Sequence, residues 1–398
     1  MRISLPLILA LPFAFSSPLA RRNETATLAP PLPVVDEPVA GSWIVTLRED
    51  ALLPTVLDRL SKIPGIRKKY TYDFPNFKGF VITGTSRPIR TLASIPFIKS
   101  IEQDAVTTTT TIVRQSKAPY GLARLSNRAA NKTTYYYDDS AGAGTYAYVV
   151  DTGIYTTHNE FDGRAILGAS FPDTMANVDG NGHGTHVAGT IGSKTYGVAK
   201  NTTLIAVKVL SDQGTGQVSD AIKGIEWAVN NATNSGRLGK SVINLSMACD
   251  FNQAINDAVA AAVKGGLFVA VGAGNNGAIA SDYSPASEPL GCTTGAIDSN
   301  DIVASFSNYG PVVDLWAAGV GILSTYNSGP DALAVGDGTS CATPHVAGLG
   351  AYLLGLNKLA TGKTATNMCD TIKNMATTNA VAPTEQQSSY NVAYNGWH

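Results

Sequence analysis

The alternation of apolar and polar positions in "SWIVTLRED" (42–50) predicts a strand, and the amphipathic run that follows, "ALLPTVLDRLSKI", predicts a helix. "FKGFVITGT" and "FIKSIEQDAV" again carry strand patterning, so residues 42–106 make a small α+β unit. The run "TTTTTIV" from Thr107 has no packing pattern and reads as an exposed, cleavable linker. Beyond about residue 115 the pattern changes: the short apolar runs "TYAYVVDTG", "TTLIAVKVL", "KSVINLSM" and "LFVAVGAG" alternate with helical spacing in "HGTHVAGTIG", "VSDAIKGIEWAVNNA" and "QAINDAVAAAVKGG". Runs that are apolar throughout are buried on both faces, which predicts an α/β fold with a mostly parallel twisted sheet and helices on both sides. Sites in such sheets gather at the carboxyl ends of the strands.

With 44% hydrophobic and 15% charged residues, the 398-residue chain suits a large core and two or three domains. A formal net charge of -1 leaves no basic excess to release counterions, which argues against nucleic acid and anionic membrane as partners. Residues 1–20, "MRISLPLILALPFAFSSPLA", place Arg2 ahead of an apolar run that ends on small residues, the layout of a secretory signal peptide. Residues 21–40, rich in Pro, Ala and Val, read as a linker. No later stretch reaches the roughly 20 apolar residues of a spanning helix, so the expectation is a soluble, exported monomer. Glycosylation sequons at Asn23, Asn131, Asn201 and Asn231 accord with export, whereas Asn244 lies in an apolar strand where a glycan does not fit. The cysteines Cys249, Cys292, Cys341 and Cys369 lack the CxxC spacing of a zinc site. An oxidising compartment implies at least one pair among them, and four cysteines allow three full pairings.

Five polar residues stand where chemistry belongs. Asp151 follows "AYVV" at the end of an apolar strand, although "DTG" alone reads first as a turn. "DGNGHGTHVAGT" holds His183 and His186 among glycines; the Glu of HExxH is missing, and either imidazole meets the needs of a general base. Ser340 precedes "CATPHVAGLGAYLLGL", a helix with Pro344 expected in its first turn, so it is either a helix cap or a nucleophile beside the amides of a helix start. Asn275 lies in "VAVGAGNNG", where Gly272, Gly274 and Gly277 spell GxGxxG with Asp298 about 20 residues on. Pro285 and Pro289 follow in place of the helix a pyrophosphate requires, so Asn275 reads better as an amide donor than as part of a nucleotide site.

"VVDTGI", "HGTHVAGT" and "GTSCATPHVAG" occur in the order Asp, His, Ser, and together they resemble the subtilisin-like serine proteases, within them the fungal proteinase K group. "SPASEP", "SFSNYG" and "YGVAKNTTL" extend the resemblance over nearly all of residues 115–398. It implies that Asp151 orients His183, that His183 is general base and then acid, and that Ser340 attacks the scissile carbonyl. Asn275 and the Ser340 amide would hold the oxyanion. Protein or peptide substrates would bind as an added strand between Gly214, Thr215, Gly216 and Ser246, Met247, Ala248. Ala248, Gly272, Ala273 and Gly274 would wall a pocket with Tyr283 near its floor, an apolar lining suited to hydrophobic side chains. No cofactor enters catalysis, while a structural calcium is implied at the carbonyls of Pro289 and Gly291 and the carboxylate of Asp314, and a disulfide between Cys292 and Cys369.

Residues 42–106 resemble the family's inhibitory propeptide, which implies a signal over 1–20, a propeptide over 21–111 and a peptidase over 112–398, with a cut between about Thr108 and Gln115. The chain also departs from the family's pattern. Cys341 replaces a methionine, leaving it and Cys249 as free thiols or a second pair, and Asp337 is a carboxylate expected to raise the pKa of His183. Val218 stands where a lid tyrosine is common, and the cysteines of a second disulfide are missing at Tyr146 and near Gly239. "SMACD" puts Ala248 and Cys249 where the family keeps bare backbone, which raises the alternative of an impaired scaffold that binds peptides without cutting them.

Overall fold

The computed structural model describes residues 38–85, 89, 92, 95–105, 111–171, 178–356, 364–382 and 390–397. The signal-like residues 1–20, Asn23 and Thr107–Thr110 lie outside the described residues. The chain divides into two compact units, residues 1–108 and 109–398.

In the first unit, strands β1 (Pro38–Leu47), β2 (Arg67–Phe74), β3 (Phe77–Thr83) and β4 (Ile98–Ala105) form an antiparallel sheet of order β2-β3-β1-β4. The period-2 pattern of β1 turns Trp43, Val45 and Leu47 to one face, where they pack with Phe80 and Ile82 of β3. Helix α1 (Leu53–Ser61) closes this core with Leu53, Val56 and Leu60, at the three- and four-residue spacing of one helix face. β2 is almost wholly exposed, so it has no apolar alternation to read.

The second unit begins with a hairpin, β5 (Ile112–Ser116) and β6 (Thr134–Asp138), joined through helix α2 (Tyr120–Leu125). Its centre is a parallel sheet of seven strands: β7 (Tyr146–Asp151), β8 (Ala165–Ser170), β9 (Thr203–Lys208), β10 (Ser241–Leu245), β12 (Phe268–Gly272), β14 (Cys292–Ile297) and β15 (Leu315–Ala318), in the order β15-β14-β12-β10-β7-β9-β8. Two ribbons stand apart from it, β11 (Cys249–Asp250) with β13 (Tyr283–Ser284) and β16 (Ile322–Thr325) with β17 (Leu333–Gly336).

Both faces of the sheet are covered. Ala147 and Val149 of β7 turn to one side, against helices α3 (His183–Gly192), α6 (Thr339–Gly355) and α7 (Met368–Met375). Tyr148 and Val150 turn to the other, against α4 (Val218–Asn234) and α5 (Gln253–Lys264). Side chains such as Val259 and Ile225, buried here, each contribute roughly 1.5–3 kcal/mol. In α6 every residue is buried except Ser340 and Leu354. That helix begins at Thr339, which puts Pro344 in its second turn and not the first.

Candidate active site

Asp151 ends β7, wholly buried, and its Oδ1 accepts the Thr152 amide and the Nδ1–H of His183, each at 2.7 Å. This bond fixes the tautomer of His183, so that Nε2 is left as the basic nitrogen. The Asp151 charge raises the pKa of His183 above its ordinary value, outweighing burial, and Asp179 adds to the rise. Asp337 has no part in it: its carboxylate accepts the Gly321 amide, so the expectation that it tunes His183 is corrected.

Geometry also separates the two histidines. His183 is the first residue of α3, at the carboxyl edge of the sheet, while His186 is buried one turn on with Nε2 against the Ile322 carbonyl. Burial lowers the pKa of His186. The start of α3 is held by Asp179, a residue to which the sequence reading gave no role. Asp179 accepts the amides of Asn181, Gly182 and Thr185 and the hydroxyls of Thr152 and Thr185. Thr152 in turn accepts the Gly184 amide, so one network locks the end of β7 to the start of α3.

Ser340 is the second residue of α6, following Gly338, whose φ of 149° lies in the region open to glycine. A Cβ on Gly338 would sit 2.9 Å from Ser340 Oγ and 3.4 Å from Asn275 Nδ2, so the width of one small group separates hydroxyl from amide. Asn275 Oδ1 accepts both the amide and the hydroxyl of Thr339, at 2.8 and 2.9 Å, which turns its NH2 end toward that gap. The Ser340 amide belongs to the first turn, where no helical acceptor exists. Pro344 deprives the Ser340 carbonyl of its helical donor, and the Ser246 hydroxyl supplies one at 3.0 Å.

His183, Ser340 and Asn275 share one cleft of about 570 Å³. Gly214, Thr215, Gly216, Ser246, Met247, Ala248, Gly272 and Gly274 also line it, as do Val218 and Cys249. Ala273, between the two glycines, turns the other way and packs with Ala280 and Ala286. Tyr283 is half-buried in the ribbon opposite Asp250, outside the cleft lining. After Gly277 the chain makes only a single 3-10 turn, Ala280–Asp282, and then strand β13, so no helix receives a phosphate there.

Cys292 and Cys369 form the disulfide, joining β14 to α7 across 77 residues, a loop length worth roughly 4 kcal/mol by chain entropy. Cys249 and Cys341 are free thiols. Burial pushes the Cys341 thiol up to about 12, which keeps it protonated and slow to oxidise. The two carboxylate oxygens of Asp314 accept the Thr293 amide at 2.9 Å and the Lys373 ammonium at 3.0 Å. That donor set does not fit calcium: both oxygens of the one carboxylate already hold donors, one of them a lysine cation.

Residues 142–393 match the sequence model of the Subtilase family. The chain belongs to the subtilase family. This subtilase is 41% identical over 397 residues to alkaline serine protease ver112 of Corniculantispora psalliotae, covering all of both chains. It is 41% identical to the cuticle-degrading protease of Metarhizium anisopliae, covering 98% of this chain and 97% of that one. It is 48% identical to subtilisin-like protease 7 of Trichophyton violaceum over 310 residues, 77% of this chain and 76% of the other. A crystal structure of a cold adapted subtilisin-like serine proteinase matches with a TM-score of 0.65 at 40% identity, over 70% of this chain and 99% of that chain. The subtilase has the subtilisin-like fold, and it is a subtilisin-like serine endopeptidase that needs no cofactor for catalysis.

Proposed function

We propose that Asp151, His183 and Ser340 are the catalytic triad of this endopeptidase and that Asn275 binds the oxyanion. The observation that carries the reading is the 2.7 Å bond from the buried Asp151 to His183 at the mouth of a cleft that also holds Ser340 and Asn275. His183 Nε2 takes the Ser340 proton as Oγ attacks the peptide carbonyl, and the oxyanion is met by Asn275 Nδ2 and the Ser340 amide. His183 returns the proton to the leaving amine, and water then releases the acyl group by the same steps in reverse order. The free Nε2 and the fixed Asn275 amide favour turnover over the inactive peptide-binding scaffold.

Peptides lie between Gly214–Gly216 and Ser246–Ala248, both of which line the cleft. The pocket formed by Met247, Ala248, Gly272 and Gly274 has no charged wall and takes hydrophobic side chains broadly. The enzyme acts outside the cell as a monomer: the signal-like residues 1–20 support export, and no described helix is long and apolar enough to cross a membrane. Asn131 and Asn201 are exposed and Asn231 half-buried, so the first two are the better glycan sites. The compact first unit is the enzyme's own inhibitory propeptide, removed near the threonine run.

Self-processing tests this reading. Residues 21–398 are expressed beside a Ser340→Ala variant and the N-termini of the products are sequenced. The native chain is expected to lose about its first 90 residues and the variant to remain whole; a Ser340→Ala chain processed like the native one refutes the assigned nucleophile, and a folded native chain that also remains whole returns the reading to the impaired scaffold.

A further inference from the structure

Lys373 lies four residues after Cys369 on α7, on the same helix face. The Cys369 disulfide seats that face on Cys292, the first residue of β14. The next residue, Thr293, exchanges backbone contacts with Asp314: its amide donates to Asp314 Oδ2, and its carbonyl accepts the Asp314 amide at 2.9 Å. The disulfide therefore delivers Lys373 to Asp314, where Nζ stands 3.0 Å from Oδ1 and 3.2 Å from Asp370.

We infer that the Lys373 ammonium is a built-in cation that replaces calcium at Asp314, so that this corner of the subtilase is held without metal. Calcium takes six to eight oxygens at about 2.3–2.6 Å. The implied set offers two carbonyls and one carboxylate, and both oxygens of that carboxylate already have donors. A calcium ion on Oδ1 would meet the ammonium as a like charge, so Lys373 has to leave before the metal enters. An ion taken from solution stabilises only as its concentration exceeds its dissociation constant, whereas a tethered ammonium acts at any concentration.

The test is thermal unfolding of the full chain carrying Ser340→Ala, so that self-digestion does not set the midpoint, in chelator and in millimolar calcium. Asp314→Asn run in parallel removes any calcium response that arises elsewhere. The native Lys373 chain is expected to show no Asp314-dependent calcium shift. Lys373→Ala is expected to lose several degrees in chelator and to recover most of them in calcium, a gain abolished by Asp314→Asn. An Asp314-dependent calcium shift in the Lys373 chain, or a Lys373→Ala midpoint unchanged in chelator, overturns the inference.

Discussion

At the scale of the residue, the state of His183 sets the working pH. Its neutral form is the base, and the Asp151 charge holds its pKa above the ordinary 6.5, so the base form appears only at higher pH. The acid limb of kcat/KM on a peptide substrate is expected to have its midpoint above 6.5. Asp151→Asn is expected to reduce kcat about 10⁴-fold and to move that limb to lower pH. A native midpoint below 6.5 would show that Asp151 does not govern the base. The residue types of the triad and Asn275 were legible in the sequence, because Asp-Thr-Gly, His-Gly-Thr-His and Gly-Thr-Ser are local patterns. The choice between His183 and His186 came only with the resemblance, since spacing does not say which imidazole reaches the end of β7 and which one reaches Ile322. Asp179 was missed for a related reason: its five donors come from Thr152 and from the turn it closes, and neither partner set shows as a motif.

At the scale of the element, α6 shows how a helix start is made to serve chemistry. Pro344 removes the amide that would bind the Ser340 carbonyl, and Ser246, just past β10, replaces it. Ser246→Ala leaves that carbonyl short of a donor and is expected to cost about 1–3 kcal/mol of stability. In a Pro344→Ala background the helical N–H returns, so the same substitution is expected to cost markedly less. Denaturant unfolding of the four chains measures the coupling, and an equal cost in both backgrounds would show that Ser246 does not compensate for the proline. Reading elements from pattern succeeded where strands are apolar on both faces, as in β7, β9, β10 and β12. It missed β14, "CTTGAI", whose small and polar residues are buried without any apolar periodicity, and β15, "LWAA", whose four residues are too short a run to show one. It also missed β8, an edge strand with Ile166 and Leu167 exposed.

At the scale of the whole molecule, groups outside the cleft lining decide the pH range of stability. His345, buried in α6, has a pKa lowered to about 4, and Lys200, buried with its ammonium on the Thr195 and Gly197 carbonyls, has one lowered to about 7, both by desolvation. Their unfolded values are 6.5 and 10.5, so the unfolded chain binds more protons and stability rises with pH across these windows. His345 alone is worth about 3 kcal/mol, fully present above 6.5 and lost as pH falls toward 4. His183 and Lys373 act in the opposite sense, since their raised values lose stability as pH climbs. Both are about one-third exposed, and solvent screening makes their share smaller. Tyr120 and Tyr135, raised above 10.0 by burial, set the upper limit, because the unfolded chain ionises them first. The fold is therefore expected to be more stable at pH 9 than at pH 5 and to weaken above about pH 10. Denaturant midpoints of the Ser340→Ala chain across that range measure this, with His345→Gln expected to flatten the slope between pH 6.5 and 4. A midpoint that falls from pH 5 to pH 9 would show that His345 and Lys200 are not the groups that set it.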